Sequence, residues 1–226
     1  VLVARHSLGW SVRNLVFMGM GEALDNPEGL FQALRVLTDG AGLSFAQGRL
    51  TVCTVGNVEG IGALAAEAYP RLNLSVSLNA ANDALRDRLM PINRRVPLAA
   101  LQEALLGYRQ RRNFCLGVNY CLMPGLNDSP SDAEDVAKFV APLGRSLVYL
   151  IPYNPGGVAL TRAPTEREVA CFVGLLREQG VAVRARITKG RSVMAACGQL
   201  GNVALRRPSR ATRSHDGRDG MAQAPL

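Results

Sequence analysis

Short runs of β-branched and aliphatic residues alternate along this chain with longer segments of helical periodicity. Such alternation is typical of parallel α/β folds, in which each crossover helix returns the chain to the same edge of a sheet. The six predicted strands cover residues 15–20, 50–55, 72–78, 115–123, 147–153 and 181–187. Right-handed crossovers would stack these units into a curved sheet or a barrel with its helices outside. Six strands are too few for a closed eight-stranded barrel, so a barrel here would be a partial TIM-type (βα)6 one.

Capping motifs predict where two of the helices begin. Thr165 and Glu168 form a capping box ahead of an amphipathic segment at 166–179, and Gly180 is suited to end that helix. A second box predicts a helix over 130–141.

Composition places the chain among globular proteins. Its 226 residues are 48% hydrophobic, enough for one domain with a full core, and no apolar run approaches the length of about 18 residues that a membrane span needs. The N-terminus lacks the basic start and cleavage site of a signal peptide. Five cysteines at irregular spacings indicate a reducing compartment, so we expect a cytoplasmic protein without a membrane partner.

The formal charge of +8 favours a polyanionic partner such as RNA. Arginine clusters occur at 94–95, at 109–112 and between 184 and 191, although each alone is better explained as a solvated surface. Aromatic residues make up only 5% of the chain, so no stacking platform for single-stranded RNA is evident.

Polar or reactive residues follow five of the predicted strands. They are Glu22, Cys53, Thr54, Ser77, Asn79, Asn127, Asp128 and Asn154. Each alone is better explained by turn chemistry, since Asn, Asp and Ser are common where strands end. Because a βα fold brings the carboxyl ends of its strands onto one face, their recurrence predicts a single site.

Seven phrases in a fixed order resemble one family. They are MGMGE at 18–22, TVCTVG at 51–56, SLNA at 77–80, MPIN at 90–93, PGLND at 124–128, IPYNP at 151–155 and AACGQL at 195–200. The chain resembles, over roughly residues 1–205, the radical S-adenosylmethionine (SAM) RNA methyltransferases of the RlmN/Cfr type. The resemblance implies a radical SAM barrel that lacks its first βα unit here.

The resemblance also implies an activity. Enzymes of this type methylate carbon 2 or carbon 8 of an adenine in 23S ribosomal RNA, and carbon 2 is expected here. Transfer RNA stays open as a second substrate. The methyl group passes through a cysteine, which the AACGQL phrase identifies as Cys197. The implied cofactors are SAM and a [4Fe-4S] cluster, with a reductant such as flavodoxin or ferredoxin, and we expect a monomer.

The resemblance also assigns residues of the SAM site, at the positions of this chain that match the family's phrases. Gly21 and Glu22 are expected to hold the amino group of SAM, and Ser77, Leu78 and Asn154 to contact the rest of it. Cys53 and Asn79 stand where the family usually has serine and histidine. Both can still form hydrogen bonds, although a thiol is a weak donor and asparagine cannot shuttle a proton.

The chain lacks the Cys-x-x-x-Cys-x-x-Cys loop that holds the family's cluster. We therefore expect a fragment: a core at 1–204, a disordered basic tail at 205–226, and no turnover by the isolated chain. None of its residues is assigned as a metal ligand, and Cys115, Cys121 and Cys171 are expected to pack in the core. The alternative is a noncatalytic, degenerate RNA-binding remnant of the same scaffold.

Overall fold

The computed structural model describes residues 1–19, 21–108, 113–155 and 160–187. Within these ranges one sheet has six parallel strands, each paired with the next along the chain. The strands are β1 (Leu15–Phe17), β2 (Leu50–Thr54), β3 (Asn73–Ser77), β4 (Leu116–Leu122), β5 (Ser146–Pro152) and β6 (Val183–Ala185). The predicted parallel α/β architecture is confirmed.

Helices connect the strands. They are α1 (Pro27–Thr38), α2 (Val58–Ala66), α3 (Asp83–Leu89), α4 (Leu98–Gly107), α5 (Pro130–Val140) and α6 (Glu166–Glu178). Both predicted capping boxes are present, at the starts of α5 and α6. Gly180 follows α6 with a φ of +75°, a conformation that glycine adopts without strain.

The two faces of the sheet differ in polarity because side chains alternate along each strand. One face buries aliphatic side chains of neighbouring strands, including Val52, Val76, Val118 and Val148, in the main hydrophobic core. Each such side chain contributes about 1.5–3 kcal/mol when fully buried. The opposite face carries polar side chains, which leaves it available for a ligand.

Several predicted boundaries and the predicted core positions of three cysteines need correction. The strand β1 ends at Phe17 and β6 covers only Val183–Ala185, so both are shorter than expected. Cys115 and Cys121 are half-buried outside the hydrophobic core and Cys171 is exposed, which contradicts the prediction for all three. A helix turns about 100° per residue, so burial of the adjacent Phe172 on α6 directs Cys171 towards solvent.

Two expectations fall outside the described residues: the place of Cys197 and the character of the tail at 205–226. In the part of the chain that is described, no helix combines the length and apolar character needed to cross a membrane.

Candidate functional site at the carboxyl edge of the sheet

Glu22 joins the ends of the first two strands. Its Oε2 accepts a hydrogen bond from the backbone N–H of Val55 at 2.7 Å, and its Oε1 accepts from that of Leu24 at 3.1 Å. The preceding Gly21 has a φ of +90°, which directs the chain into this turn. A carboxylate has about four acceptor positions, so the two bonds hold Glu22 in place and leave capacity for an ammonium group.

The end of β3 presents one side chain to the site and buries the next. Ser77 is half-buried on the polar face, whereas the side chain of Leu78 has 0% exposure and belongs to the core. The Leu78 N–H donates to the Asn119 carbonyl at 2.9 Å. The carbonyls of both Ser77 and Leu78 accept from the buried guanidinium of Arg86.

Asn79 occupies a turn that favours asparagine. Its φ is +58°, in the left-handed region that asparagine tolerates better than most residues. Its Oδ1 accepts from the Cys121 N–H at 3.0 Å, and its Nδ2 lies 3.3 Å from the sulfur of Met90. Asn79 therefore ties the loop after β3 to β4.

Asn154 lies two residues beyond β5, at the same edge of the sheet. It is 2% exposed, and its Nδ2 donates to the Pro152 carbonyl at 3.2 Å. The neighbouring Tyr153 N–H donates to the Leu122 carbonyl at 3.1 Å, which joins the ends of β5 and β4. The predicted residues at the ends of β1 to β5 therefore lie along one edge.

A chain of polar side chains crosses the inner face below this edge. Cys53 and Ser75 are register partners on β2 and β3, and Asn119 Nδ2 donates to Ser75 Oγ at 2.9 Å. Asn119 is 3% exposed, yet its Oδ1 has no hydrogen-bond partner among the described residues. A buried acceptor without a partner is costly, which marks this position as one where a ligand donor fits.

Burial raises the pKa of the Cys53 thiol to about 11. The positive charge of Arg186 and hydrogen bonds from Ser75 and Asn119 lower this pKa, but burial has the larger effect. The thiol is therefore neutral at neutral pH, and its role here is that of a hydrogen-bonding group. Ser75 and Asn119 are absent from the predicted site, although polar residues at alternate positions of apolar strands signal a polar inner face.

Arg186 supplies a cation to the same face. Its guanidinium carbon lies 4.6 Å from the centre of the Tyr149 ring, and no carboxylate in the described ranges is within ion-pair distance. Cys53, Ser75, Tyr149 and Arg186 help to line a cavity of about 410 Å³. The sheet thus offers a carboxylate at its edge and a cation beneath it.

This arrangement fits the polar groups of SAM. Glu22 can accept from an ammonium, Ser77 and the side-chain amides can bond hydroxyls or a base edge, and the Asn119 acceptor is unsatisfied. The fit does not extend to an iron–sulfur cluster. Among the described residues no group of three or more His, Cys, Asp or Glu side chains could hold a metal ion.

Sequence comparison finds relatives that are named RNA methyltransferases. The chain is 42% identical over 207 residues to a probable dual-specificity RNA methyltransferase RlmN 1 from Protochlamydia amoebophila, covering 92% of this chain and 58% of that protein. It is 40% identical over 189 residues to the dual-specificity RNA methyltransferase RlmN of Geotalea uraniireducens, covering 84% of this chain and 54% of that protein. The chain thus spans little more than half the length of these relatives. No family model matches it.

Structural comparison finds the same class of protein. A radical SAM methyltransferase from Sphaerobacter thermophilus superposes with a TM-score of 0.79 at 36% identity, covering 85% of this chain and 56% of that one. A domain of a pyruvate-formate lyase-activating enzyme from Bacteroides vulgatus superposes with a TM-score of 0.57 at 19% identity, covering 77% of this chain and 99% of that one. The second likeness concerns the fold alone.

Proposed function

The chain is homologous along most of its length to the RlmN-type radical SAM RNA methyltransferases, and we propose on that premise that it forms the SAM-binding and methyl-carrying part of an RNA methyltransferase. The proposed reaction is methylation of carbon 2 of an adenine in 23S ribosomal RNA. The observation that carries the proposal is the position of Glu22, whose carboxylate is fixed between the ends of β1 and β2 by the Val55 and Leu24 amides.

Named residues would hold SAM at this edge. Gly21 and Glu22 would receive its ammonium group, and Ser77 and Asn154 would bond its ribose and adenine. Leu78 would act only through its backbone, because its side chain is buried in the core. Asn79 and Cys53 would shape the surrounding wall. When bound, SAM supplies an electrophilic methyl group and, in this family, radical chemistry.

Cys197 is the proposed methyl carrier, although it lies outside the described residues. Its sulfur would form a bond to the methyl carbon while the carbon–sulfonium bond breaks, and the thiol proton would leave to a base or solvent. Methylation of the peptide that contains Cys197 is measurable by mass spectrometry after incubation with methyl-labelled SAM. Label on any other cysteine would contradict the assignment.

RNA is the proposed partner, consistent with the formal charge of +8. Both relatives described above are named dual-specificity RNA methyltransferases, so transfer RNA should be tested beside 23S ribosomal RNA. A flavodoxin or ferredoxin is the proposed reductant, and the cytoplasm is the proposed location. We also propose a monomeric core at 1–204 followed by a disordered tail.

The cluster ligands are proposed to lie outside this 226-residue sequence, because it contains no Cys-x-x-x-Cys-x-x-Cys loop. We therefore expect no RNA methylation by these residues alone. Methylation of ribosomal RNA by the purified chain without added protein would contradict this expectation.

Calorimetric titration with SAM tests the proposed site. In whichever version of the protein binds SAM, the 226-residue chain or a longer one that carries the cluster loop, Glu22→Gln should weaken binding about tenfold or more, because a charge-assisted hydrogen bond is lost. Glu28→Gln, at an exposed position in the first turn of α1, is the matched control and should bind normally. Equal affinity of the two variants would exclude Glu22 from the site.

A second titration uses a longer version that carries the cluster loop, reconstituted anaerobically with iron and sulfide. Binding by the longer version alone would support an incomplete radical enzyme. Binding by neither version would favour the noncatalytic RNA-binding alternative.

A further inference from the structure

Arg86 of α3 is a fully buried cation, with 0% exposure, directed at the ends of two strands. One terminal nitrogen donates to the Val55 carbonyl at 2.8 Å and to the Ser77 carbonyl at 3.3 Å. Its Nε donates to the Leu78 carbonyl at 3.1 Å. A single guanidinium therefore joins the carboxyl ends of β2 and β3.

A polar network holds the guanidinium from behind. Its other terminal nitrogen donates to Asn93 Oδ1 at 2.7 Å. The Asn93 amide nitrogen in turn donates to Asp83 at 2.8 Å and to Asp87 at 2.7 Å. The two carboxylates thus stabilise the positive charge through Asn93, although burial lowers the pKa of Arg86 to about 10. Arg86 remains charged at neutral pH.

Asn93 ends the MPIN phrase, which the proposed cofactor contacts do not use. It is 2% exposed and connects α3 to the following short helix, Pro91–Arg94. Asp83 also accepts from the backbone N–H of Leu98 at 2.9 Å, which brings the start of α4 into the same network. The MPIN phrase therefore supports Arg86 through the side chain of Asn93.

Gly56 makes room for this arrangement. A Cβ atom at Gly56 would lie 3.3 Å from the Arg86 terminal nitrogen and 3.4 Å from the Leu101 side chain. Its φ of +117° is also a conformation that other residues rarely adopt. The TVCTVG phrase thus ends in a glycine that lets the guanidinium reach Val55.

The atoms that Arg86 fixes belong to the proposed cofactor site. Val55 uses its N–H to hold Glu22 and its carbonyl to meet Arg86, so one peptide segment couples the two side chains. Ser77 is likewise tied to Arg86 through its own carbonyl. A buried charge costs more than an apolar side chain of similar volume, so packing alone does not account for arginine here.

We propose that Arg86 is a positioning residue of the SAM site, which sets the spacing between the β2 end that holds Glu22 and the β3 end that presents Ser77. This inference rests on the proposed function for its ligand. Lysine at this position would keep the charge but lose the planar fork that reaches three carbonyls at once.

The test compares Arg86→Lys with Arg88→Lys, whose site lies on the same helix but is exposed. Amide hydrogen exchange of the unliganded chain is measured first, at a temperature where circular dichroism shows both variants to be folded. We expect exchange at 54–57 and 77–80 to rise about tenfold in Arg86→Lys. Exchange in α6 should stay unchanged in both variants.

SAM titration is the second measurement, with both substitutions placed in whichever version binds SAM, the 226-residue chain or its longer, reconstituted form. We expect Arg86→Lys to weaken SAM binding about tenfold and Arg88→Lys to leave it unchanged. Wild-type affinity in a folded Arg86→Lys would overturn the proposal, because Arg86 would then serve the fold alone. Unchanged exchange at both strand ends would overturn it as well.

Two further outcomes separate this proposal from the proposed function. If the unchanged chain and its longer, reconstituted version bind no SAM, the proposed function fails, while a local rise in exchange would still support the control of strand-end geometry by Arg86. If Arg86→Lys fails to fold, Arg86→Gln replaces it in both measurements. Global unfolding of both variants would overturn the proposal in favour of a purely structural role.

Discussion

The Nδ2 of Asn127 donates to the carbonyl of Asn79 at 2.7 Å and to that of Cys121 at 2.8 Å. Its Oδ1 accepts from the Met123 N–H at 2.7 Å, and its own carbonyl accepts from the Tyr120 hydroxyl at 2.8 Å. One side chain with 0% exposure therefore connects the loop after β3 to the end of β4. Asn127 holds Asn79 in its left-handed conformation.

The Asn127→Ala variant should be strongly destabilised. It leaves the buried Met123 N–H without its acceptor and removes the bonds to the half-buried Asn79 and Cys121 carbonyls, at about 1–3 kcal/mol for each group, so we expect a loss of about 3 kcal/mol. Urea denaturation followed by circular dichroism measures this loss. Gln32→Ala, at an exposed position on α1, should change stability by less than about 0.5 kcal/mol. Similar unfolding midpoints for the two variants would contradict the role of Asn127.

Two glycines on α2 should respond to alanine in opposite ways. A Cβ at Gly60 would lie 2.5 Å from the Leu24 Cβ, whereas a Cβ at Gly62 would meet nothing within 4 Å. Gly62→Ala should therefore stabilise the chain by up to about 1 kcal/mol through helix propensity. Gly60→Ala should instead destabilise it, because overpacking costs about 1–3 kcal/mol.

The Gly60 variant also bears on the site, because Leu24 donates to Glu22. Displacement of Leu24 should weaken SAM binding in Gly60→Ala and leave it unchanged in Gly62→Ala. Calorimetry measures the SAM affinity of both variants. Equal affinities would show that the position of Leu24 does not determine how the Glu22 carboxylate binds SAM.

The order of helices and strands was predicted from sequence patterns because the interactions that begin and end these elements join residues close together in the chain. The capping box of Thr165 and Glu168 lies within four residues, and its bonds form as soon as the first turn of α6 does. The polar edge followed from topology, since parallel strands end on one side. Burial of Cys171 was mispredicted because a helix face depends on what packs against it, and Phe172 occupies the buried side.

Longer-range parts of the site were not predictable from one sequence. Arg86 stands in a charged stretch that is typical of an exposed helix, and only the approach of the β2 and β3 ends gives it buried acceptors. The Asn119 contact with Ser75 spans 44 positions and depends on register. Such partners follow from the assembled sheet and not from spacing along the chain.

Cys53 and Cys171 should differ sharply in reactivity. Cys53 is 8% exposed, and burial raises the pKa of its thiol to about 11, whereas Cys171 is exposed on α6. Iodoacetamide at neutral pH should label Cys171 in the folded chain and reach Cys53 only after denaturation. Peptide mass mapping over time measures both rates, with Cys171→Ser as the control for assignment. Rapid labelling of Cys53 in the folded chain would contradict its burial.

The start of α6 should contribute to acid sensitivity through Glu168. The pKa of Glu168 is lowered to about 2, and the hydrogen bond from Arg162 is the largest cause. The backbone N–H and the hydroxyl of Thr165 also donate to the carboxylate and lower its pKa further. A depressed native pKa adds stability that is present above the ordinary glutamate pKa of about 4.3 and is lost as the pH falls towards about 2. The melting temperature should therefore fall less steeply over this pH window in Glu168→Gln than in the unchanged chain.

Glu166→Gln on the same helical turn is the matched control and should keep the steeper fall. Because Arg162 is exposed and Glu168 is partly exposed, added salt should reduce the difference between the two variants. Thermal unfolding followed by circular dichroism, at low and high salt, measures both effects. Parallel pH profiles for the two variants would contradict the lowered pKa of Glu168.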